Sequence, residues 1–222
     1  MPANKGNKVF IICIFVGVKK TFFFSLYVFL CWKCDAFFSV RVQEWKDFFL
    51  INNIGMAIIR KVLGKSPRWG KGCFLAENAA LLGDVVMGDD VSVWYGAVLR
   101  ADVDGIRIGN RVNIQDVACV HQSGGCVAVL DDDVSIGHGA IVHGAHVCSG
   151  ALIGMNAVVL DRATVGQGSI VAAGAVVLEG TQIGRGELWG GVPARKLKDV
   201  PPEKAAAYAA HYMVAKGWYE DE

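Results

Sequence analysis

Read at every sixth position from Ile141, the chain gives Ile141, Val147, Ile153, Val159, Val165, Val171, Val177 and Ile183, eight β-branched aliphatic residues in succession. The period fits neither the two-residue alternation of a strand nor the 3.6-residue turn of a helix. From Val147 on, a small residue stands four places after each aliphatic: Ala151, Ala157, Ala163, Ser169, Ala175 and Thr181. Three places after it stand Gly150, Asn156, Arg162, Gly168, Gly174 and Gly180. The pattern describes very short strands, each with one inward aliphatic, joined by tight bends where Gly or Asn can adopt positive φ.

The same rhythm runs earlier through Leu81, Met87, Val93 and Leu99, skips at Asp104-Gly105, and resumes through Ile108, Ile114 and Val120 before skipping again between Ser123 and Asp131. Such skips read as loops extruded from a corner of a solenoid. Six-residue repeats stack as parallel β-helices, three sixes to a triangular coil, so residues 81–186 make roughly six coils. The expected fold class is therefore an all-β solenoid. From Trp189 the pattern stops at Gly190-Gly191-Val192-Pro193-Ala194. After Pro201-Pro202, residues 203–216 read as a helix, with Glu203 early, Lys216 late and Gly217 just past the end. Its Ala-rich side, with Tyr208 and Tyr212 one turn apart, should lie along a flat side of the solenoid.

Composition separates this region from what precedes it. Residues 1–55 hold ten of the eleven Phe and three of the seven Cys, but only three of the 27 Gly and no His. They carry seven Lys/Arg against three Asp/Glu, a net of +4, which leaves 15 against 18, or −3, for residues 56–222. A chain that is 53% hydrophobic with 22 basic and 21 acidic residues is neither disordered nor a polyelectrolyte, which argues against nucleic acid as a partner. Three readings of residues 1–55 stay open. They are sequence upstream of a true start at Met56, a membrane tether, or a folded extension. The apolar runs Val9–Val18 and Phe22–Trp32 are each short of the ~20 residues that span a bilayer as a helix. Joined, they contain Lys19 and Lys20, at roughly 2.5 to 3.5 kcal/mol each on insertion scales. No small-residue cleavage site of the secretory kind follows either run. Cys31-x-x-Cys34 lacks a second pair at zinc-finger spacing and reads as coincidence.

Four of the five histidines fall close together, at His121, His138, His143 and His146. Taking Ile136 and Ile141 as inward positions puts His138 and His143 each two residues later, pointing outward in the same sense on neighbouring faces. Outward imidazoles at a subunit boundary can bind a metal. Three neutral His with a fourth position open leave the ion's +2 charge intact to acidify a bound water. Ordinary surface histidines are the alternative that spacing leaves open.

The segments Asn78–Gly83 (NAALLG), Trp94–Asp102 (WYGAVLRAD), Asn113–Asp116 (NIQD) with His121, Ile136–Gly144 (IGHGAIVHG) and Gly190–Ala194 (GGVPA) stand in an order that resembles the γ-class carbonic anhydrases and their relatives. The resemblance covers essentially all of residues 56–222. It implies a left-handed parallel β-helix of hexapeptide repeats with a C-terminal helix, assembled as a homotrimer. It implies hydration of carbon dioxide to bicarbonate through hydroxide on a metal ion, Zn2+ or alternatively Fe2+ or Co2+. His121, His138 and His143 match the metal ligands, with His138 supplied by a neighbouring subunit. Arg100 and Asp102 match a pair that bridges subunits beside the site. Gln115 matches the side chain that orients the reacting oxygen species, with Asn113 and Asp116 its neighbours.

Blander roles are available for each of these residues. Arg100 and Asp102 could form a structural ion pair of little energetic value, and Gln115 and Asn113 could cap bends. His146 departs from the ligand positions, and His211 on the helix reads as a surface residue. Cys119, Cys126 and Cys148 read as small hydrophobic or edge thiols of a reducing compartment. Trp94 and Trp189 read as packing at coil ends or at the trimer contact. The sequence also departs from the family, because its glutamate-bearing proton-shuttle loop is replaced by the short Gln122-Ser123-Gly124-Gly125-Cys126 and Val103 stands where an acid is expected. Asp104 is the nearest substitute. Acyl or acetyl transfer, CoA-thioester hydrolysis and a non-catalytic trimeric scaffold are the competing functions. A cytoplasmic location is expected, with a membrane tether the alternative.

Overall fold

The computed structural model describes residues 10–18, 21–29 and 57–220. The chain divides into two compact units, residues 1–53 and 54–222. In the first, strands Phe10–Val18 and Thr21–Phe29 pair antiparallel, with Val18 opposite Thr21 and Phe10 opposite Phe29. The described parts of the apolar runs, residues 10–18 and 22–29, are thus strands, and among the described residues no helix is long and apolar enough to cross a membrane. Met56, Cys31 and Cys34 lie outside the described residues.

The second unit is a left-handed parallel β-helix closed by one C-terminal helix, α1 (Pro202–Glu220). One face of the triangle is a sheet of seven parallel strands, Phe74–Leu75, Ser92–Val93, Asn113–Ile114, Ser135–Ile136, Leu152–Ile153, Ile170–Val171 and Glu187–Gly190. Seven strands mean seven coils, where the repeat predicts six, because the first and last coils lack a full hexad signature. A second face carries Cys119–His121, Ile141–His143, Val158–Val159 and Val176–Val177, and a third carries Ala128–Leu130, His146–Val147, Thr164–Val165 and Gln182–Ile183. The long strand Val98–Ile108 runs through the corner between the second and third faces and pairs on both. The skip at Asp104-Gly105 is therefore continuous strand. The later skip is an exposed turn at Ser123–Gly125, as expected.

Each short strand contributes one inward residue, and Leu81, Val93, Leu99, Ile114, Val120, Val147, Ile153, Val159, Val165, Val171 and Val177 are all fully buried. Burial of one such side chain contributes about 1.5–3 kcal/mol. Ala151, Ala157, Ala163 and Ala175 are equally buried, because two faces converge at a corner and only a methyl group fits. The bends adopt positive φ even at Asn156 (56°) and Arg162 (59°). A left-handed Arg costs roughly 1–2 kcal/mol. It persists because its N–H in that orientation donates to Gly144 O of the adjacent coil at 2.8 Å.

One predicted inward position is wrong. Ile141 is 39% exposed, and Val142 is the buried residue. The step from Val142 to Val147 is five residues, so a six-residue count backward from Val147 lands on the outward neighbour. His138 and His143 are consequently not equivalent: His138 follows inward Ile136 by two residues, and His143 follows inward Val142 by one.

Helix α1 runs through Gly217 to Glu220, past the predicted end at Lys216. The cause is tertiary. Tyr212 and Tyr219 both pack edge-on against Trp94, and Tyr219 also meets Phe74. Between them the buried Lys216 places its Nζ 2.8 Å from Asp90 Oδ1 and 2.5 Å from Gly72 O. Ala205, Ala209 and Lys216 are buried and Tyr212 partly so, whereas Tyr219 is 49% exposed, as Tyr208 is, and joins the stripe through its ring contacts with Phe74 and Trp94. Trp94, expected at a coil end or trimer contact, is buried beneath this helix. Trp189 does sit in the last coil, its Nε1 donating to Glu187 at 2.8 Å.

The register is checked by two substitutions of the same residue type. Ile136→Ala should destabilise the fold by about 2–5 kcal/mol in urea denaturation, and Ile141→Ala by less than about 1 kcal/mol. Equal losses would contradict the assignment.

Candidate metal centre

His121 and His143 are directly opposed residues of two neighbouring parallel strands. Each follows an inward valine, so both project outward from the second face, one coil apart. Their rings lie 5.0 Å apart, and Nδ1 of His121 stands 3.0 Å from Nε2 of His143. The other nitrogen of each ring faces a carboxylate. His121 Nε2 is 3.2 Å from Asp102 Oδ1, and His143 Nδ1 is 2.8 Å from Asp161 Oδ1.

The charge state of those carboxylates decides what the rings present to each other. Burial pushes the Asp102 carboxyl up, but hydrogen bonds from Arg100 and His121 outweigh it and the net shift is downward. Burial likewise raises Asp161, and hydrogen bonds from Ser123 and His143 bring it below its ordinary value. Both are therefore ionised at neutral pH and can only accept. The ring nitrogens facing them must carry hydrogen, which leaves the two inner nitrogens of neutral imidazoles bare. Two such nitrogens at 3.0 Å can both point a lone pair at one shared cation. Tetrahedral zinc with Zn–N bonds near 2.0–2.1 Å would hold its donors about 3.3 Å apart. The donor set and its spacing thus fit a zinc-like ion, and the carboxylate behind each imidazole is the usual support for a metal-ligating histidine.

His138 is engaged elsewhere in the same chain. Its Nδ1 is 2.8 Å from Asp116 Oδ2 and its Nε2 is 3.3 Å from the Tyr212 hydroxyl. Gln115 and Asn113 belong with it. The His138 backbone N–H donates to Gln115 Oε1 at 3.2 Å, Gln115 Nε2 donates to Asn113 Oδ1 at 2.9 Å, and Asn113 Nδ2 donates to Ser135 Oγ at 2.8 Å. Both amide side chains are buried. The structure thus sorts the predicted residues into two groups, His121, His143, Asp102 and Arg100 in one, and His138, Gln115, Asn113 and Asp116 in the other. Arg100 bonds Asp102 within the chain, Nη1 to Oδ2 at 2.6 Å.

Asp161, which braces His143, is the carboxylate of this candidate site that the sequence reading did not single out. It lies one residue beyond the position paired with His143, since Val142 opposes Val159. Coil-to-coil register would have found it, but the misplaced inward residue at 141 obscured that register. Asp104 is occupied as a loop anchor: its Oδ2 accepts from the Gly125 N–H at 3.1 Å, and its backbone carbonyl accepts from Gln122 Nε2 at 2.6 Å. Val103 is 58% exposed. Cys126 is buried, and Cys119 and Cys148 are partly so. His211 is exposed on α1.

The family model described as bacterial transferase hexapeptide (six repeats) matches residues 144–179. Protein YrdA of Escherichia coli is 31% identical over 74% of this chain and 95% of its own length. The mitochondrial γ carbonic anhydrase 3 of Arabidopsis thaliana is 48% identical over 68% of this chain and 61% of its length. The chain belongs to the γ-carbonic anhydrase-like family. This γ-carbonic anhydrase-like chain also resembles the solved structure of a hexapeptide transferase family protein from Anaplasma phagocytophilum, with 36% identity, a TM-score of 0.70, and coverage of 73% of this chain and 98% of that one. It spans 54–62% of the length of the curated carbonic anhydrases it matches.

The support given to His143 can be measured. Asp161→Asn should weaken zinc affinity about 10–100-fold, the usual cost of losing such a partner, in competition with a chromogenic chelator and without loss of the folded state. Unchanged affinity would contradict the role given to this carboxylate.

Proposed function

We propose that the protein catalyses the reversible hydration of carbon dioxide to bicarbonate at a metal ion, Zn2+ or alternatively Fe2+ or Co2+, held by His121 and His143 of one subunit and His138 of its neighbour in a homotrimer. The observation that carries this reading is the pair of carboxylate-braced imidazoles whose inner nitrogens face each other at 3.0 Å. When bound, the ion supplies a Lewis acid that acidifies water at neutral pH.

The chain's own residues do the rest. Asp102 and Asp161 hold the imidazoles in the ligating tautomer, and Arg100 balances the charge of Asp102. Gln115 has its oxygen committed to the His138 backbone and one amide hydrogen to Asn113, so the second amide hydrogen is left to meet an oxygen of carbon dioxide or bicarbonate. Because the Gln115 oxygen is held by the backbone of His138, the two side chains enter the site together. His138 turns from Tyr212 and Asp116 toward the ion when the neighbouring subunit presents one.

Proton export is the weak step. Hydration releases one proton per turnover, Val103 offers no acid, and both carboxylate oxygens of Asp104 accept backbone N–H groups, from Gly105 and Gly125. External buffer takes over that task in this reading. A cytoplasmic location belongs to this reading, with a membrane tether the alternative. Acyl-group transfer is the second reading, supported by the likeness to a hexapeptide transferase family protein. It requires activity that survives strict metal removal, whereas a non-catalytic scaffold requires full metal occupancy without turnover.

Hydration of carbon dioxide should depend on metal and rise with buffer concentration at fixed pH. His121→Ala and His143→Ala should abolish it. Hydration that persists in His143→Ala, or purified protein holding less than one ion per chain, would contradict the proposal.

A further inference from the structure

The third face carries a second set of metal-binding side chains that the proposed hydration does not use. Strands Ala128–Leu130 and His146–Val147 pair in parallel, with Val129 opposite His146 and Leu130 opposite Val147. Leu130 and Val147 are the inward residues. The residues flanking them therefore project outward. His146 and Cys148 lie two apart on one coil, and the register carries Asp131 into line with Cys148 on the adjacent coil, where its N–H donates to Val147 O at 2.9 Å. Strand rise and strand spacing, about 6.6 Å for two residues and about 4.8 Å between coils, bring the three within side-chain reach.

The side chains converge. One ligand atom from each of Asp131, His146 and Cys148 lies within 4.8 Å of the other two, and His146 Nε2 is 3.1 Å from Asp131 Oδ2. A zinc-like ion with bonds of about 2.0–2.3 Å needs donors about 3.3–3.8 Å apart, so a small rotation of exposed side chains closes the site. Among the described residues the one ion-pair partner of Asp131 is His146, because Arg107 is committed to Asp84 at 2.8 Å and Arg111 to Asp133 at 2.7 Å. Nitrogen, thiolate sulfur and carboxylate oxygen together select a borderline cation over Mg2+ or Ca2+.

We propose that Asp131, His146 and Cys148 form a second divalent-cation site of the zinc class, open to solvent on its fourth side and linking two successive coils. The link falls where the repeat is irregular, between the exposed turn at Ser123–Gly125 and the five-residue step from Val142 to Val147. An ion there ties the coil that ends at Asp131 to the next one through side chains as well as backbone. The site shares no residue with the histidine pair, so its existence does not depend on the hydration reaction.

Cobalt titration of the purified full chain tests this, since a thiolate ligand gives a charge-transfer band in the near ultraviolet that imidazole and carboxylate ligands do not. The wild-type chain should bind two equivalents of Co2+, one of them with that band. Cys148→Ser should lose the band and one equivalent, and His146→Ala should shift the band's midpoint to higher cobalt concentration. Both variants should keep metal-dependent hydration. His143→Ala should lose the other equivalent and keep the band, which separates failure of this site from failure of the catalytic one. Absence of the band in the wild-type chain, or its persistence in Cys148→Ser, would overturn the proposal.

Discussion

In-register parallel hydrogen bonding between successive coils is the interaction on which everything else in the second unit depends. It holds each residue over its counterpart one coil away at about 4.8 Å, so side chains stack in columns. A column of valines and isoleucines fills the interior, and columns of outward residues make up the faces. Function then reduces to which side chains occupy neighbouring places in a column. His121 and His143 meet because their strands are paired with those two residues directly opposite, not because a loop brings them together.

A column also forces like groups against each other, and the site turns that into an asset. Two bare imidazole nitrogens at 3.0 Å are an unfavourable contact in isolation. Asp102 and Asp161 maintain it by holding hydrogen on the far side of each ring, and they stay ionised because hydrogen bonds from Arg100, Ser123 and the imidazoles outweigh the cost of burial. A cation between the two nitrogens would turn that contact into an attraction. The same logic appears on the third face, where Asp131 and Cys148 stand in register and, among the described residues, Asp131 has His146 as its ion-pair contact.

Most of this fold was legible in the sequence because a six-residue period has few physical explanations. The buried aliphatics, the corner alanines and even the left-handed bends at Asn156 and Arg162 follow from it. What was not legible arises where the period breaks. Ile141 and Val142 are both β-branched, so only burial distinguishes the inward one, and Asp104-Gly105 reads equally well as a loop or as a strand turning a corner. The end of α1 was misplaced because Gly217 is a good stop signal locally. Contacts of Tyr219 with Phe74 and Trp94, far away in sequence, override it. For the site, the ligand histidines were accessible through the family resemblance, whereas Asp161 required coil-to-coil register. The division of the predicted residues into two groups is set by tertiary contacts, since spacing along the chain does not reveal that His138 faces Tyr212.

That division leads to the central claim, a site completed only when two chains meet. Mixing two inactive variants measures it most directly. Subunits of His138→Ala retain His121 and His143, and subunits of His121→Ala retain His138. Unfolded together and reassembled, they should form mixed trimers in which one interface unites the intact groups, so hydration activity should reappear where neither variant alone has it. A mixture that stays as inactive as its parts, despite verified exchange of subunits, would contradict the shared site.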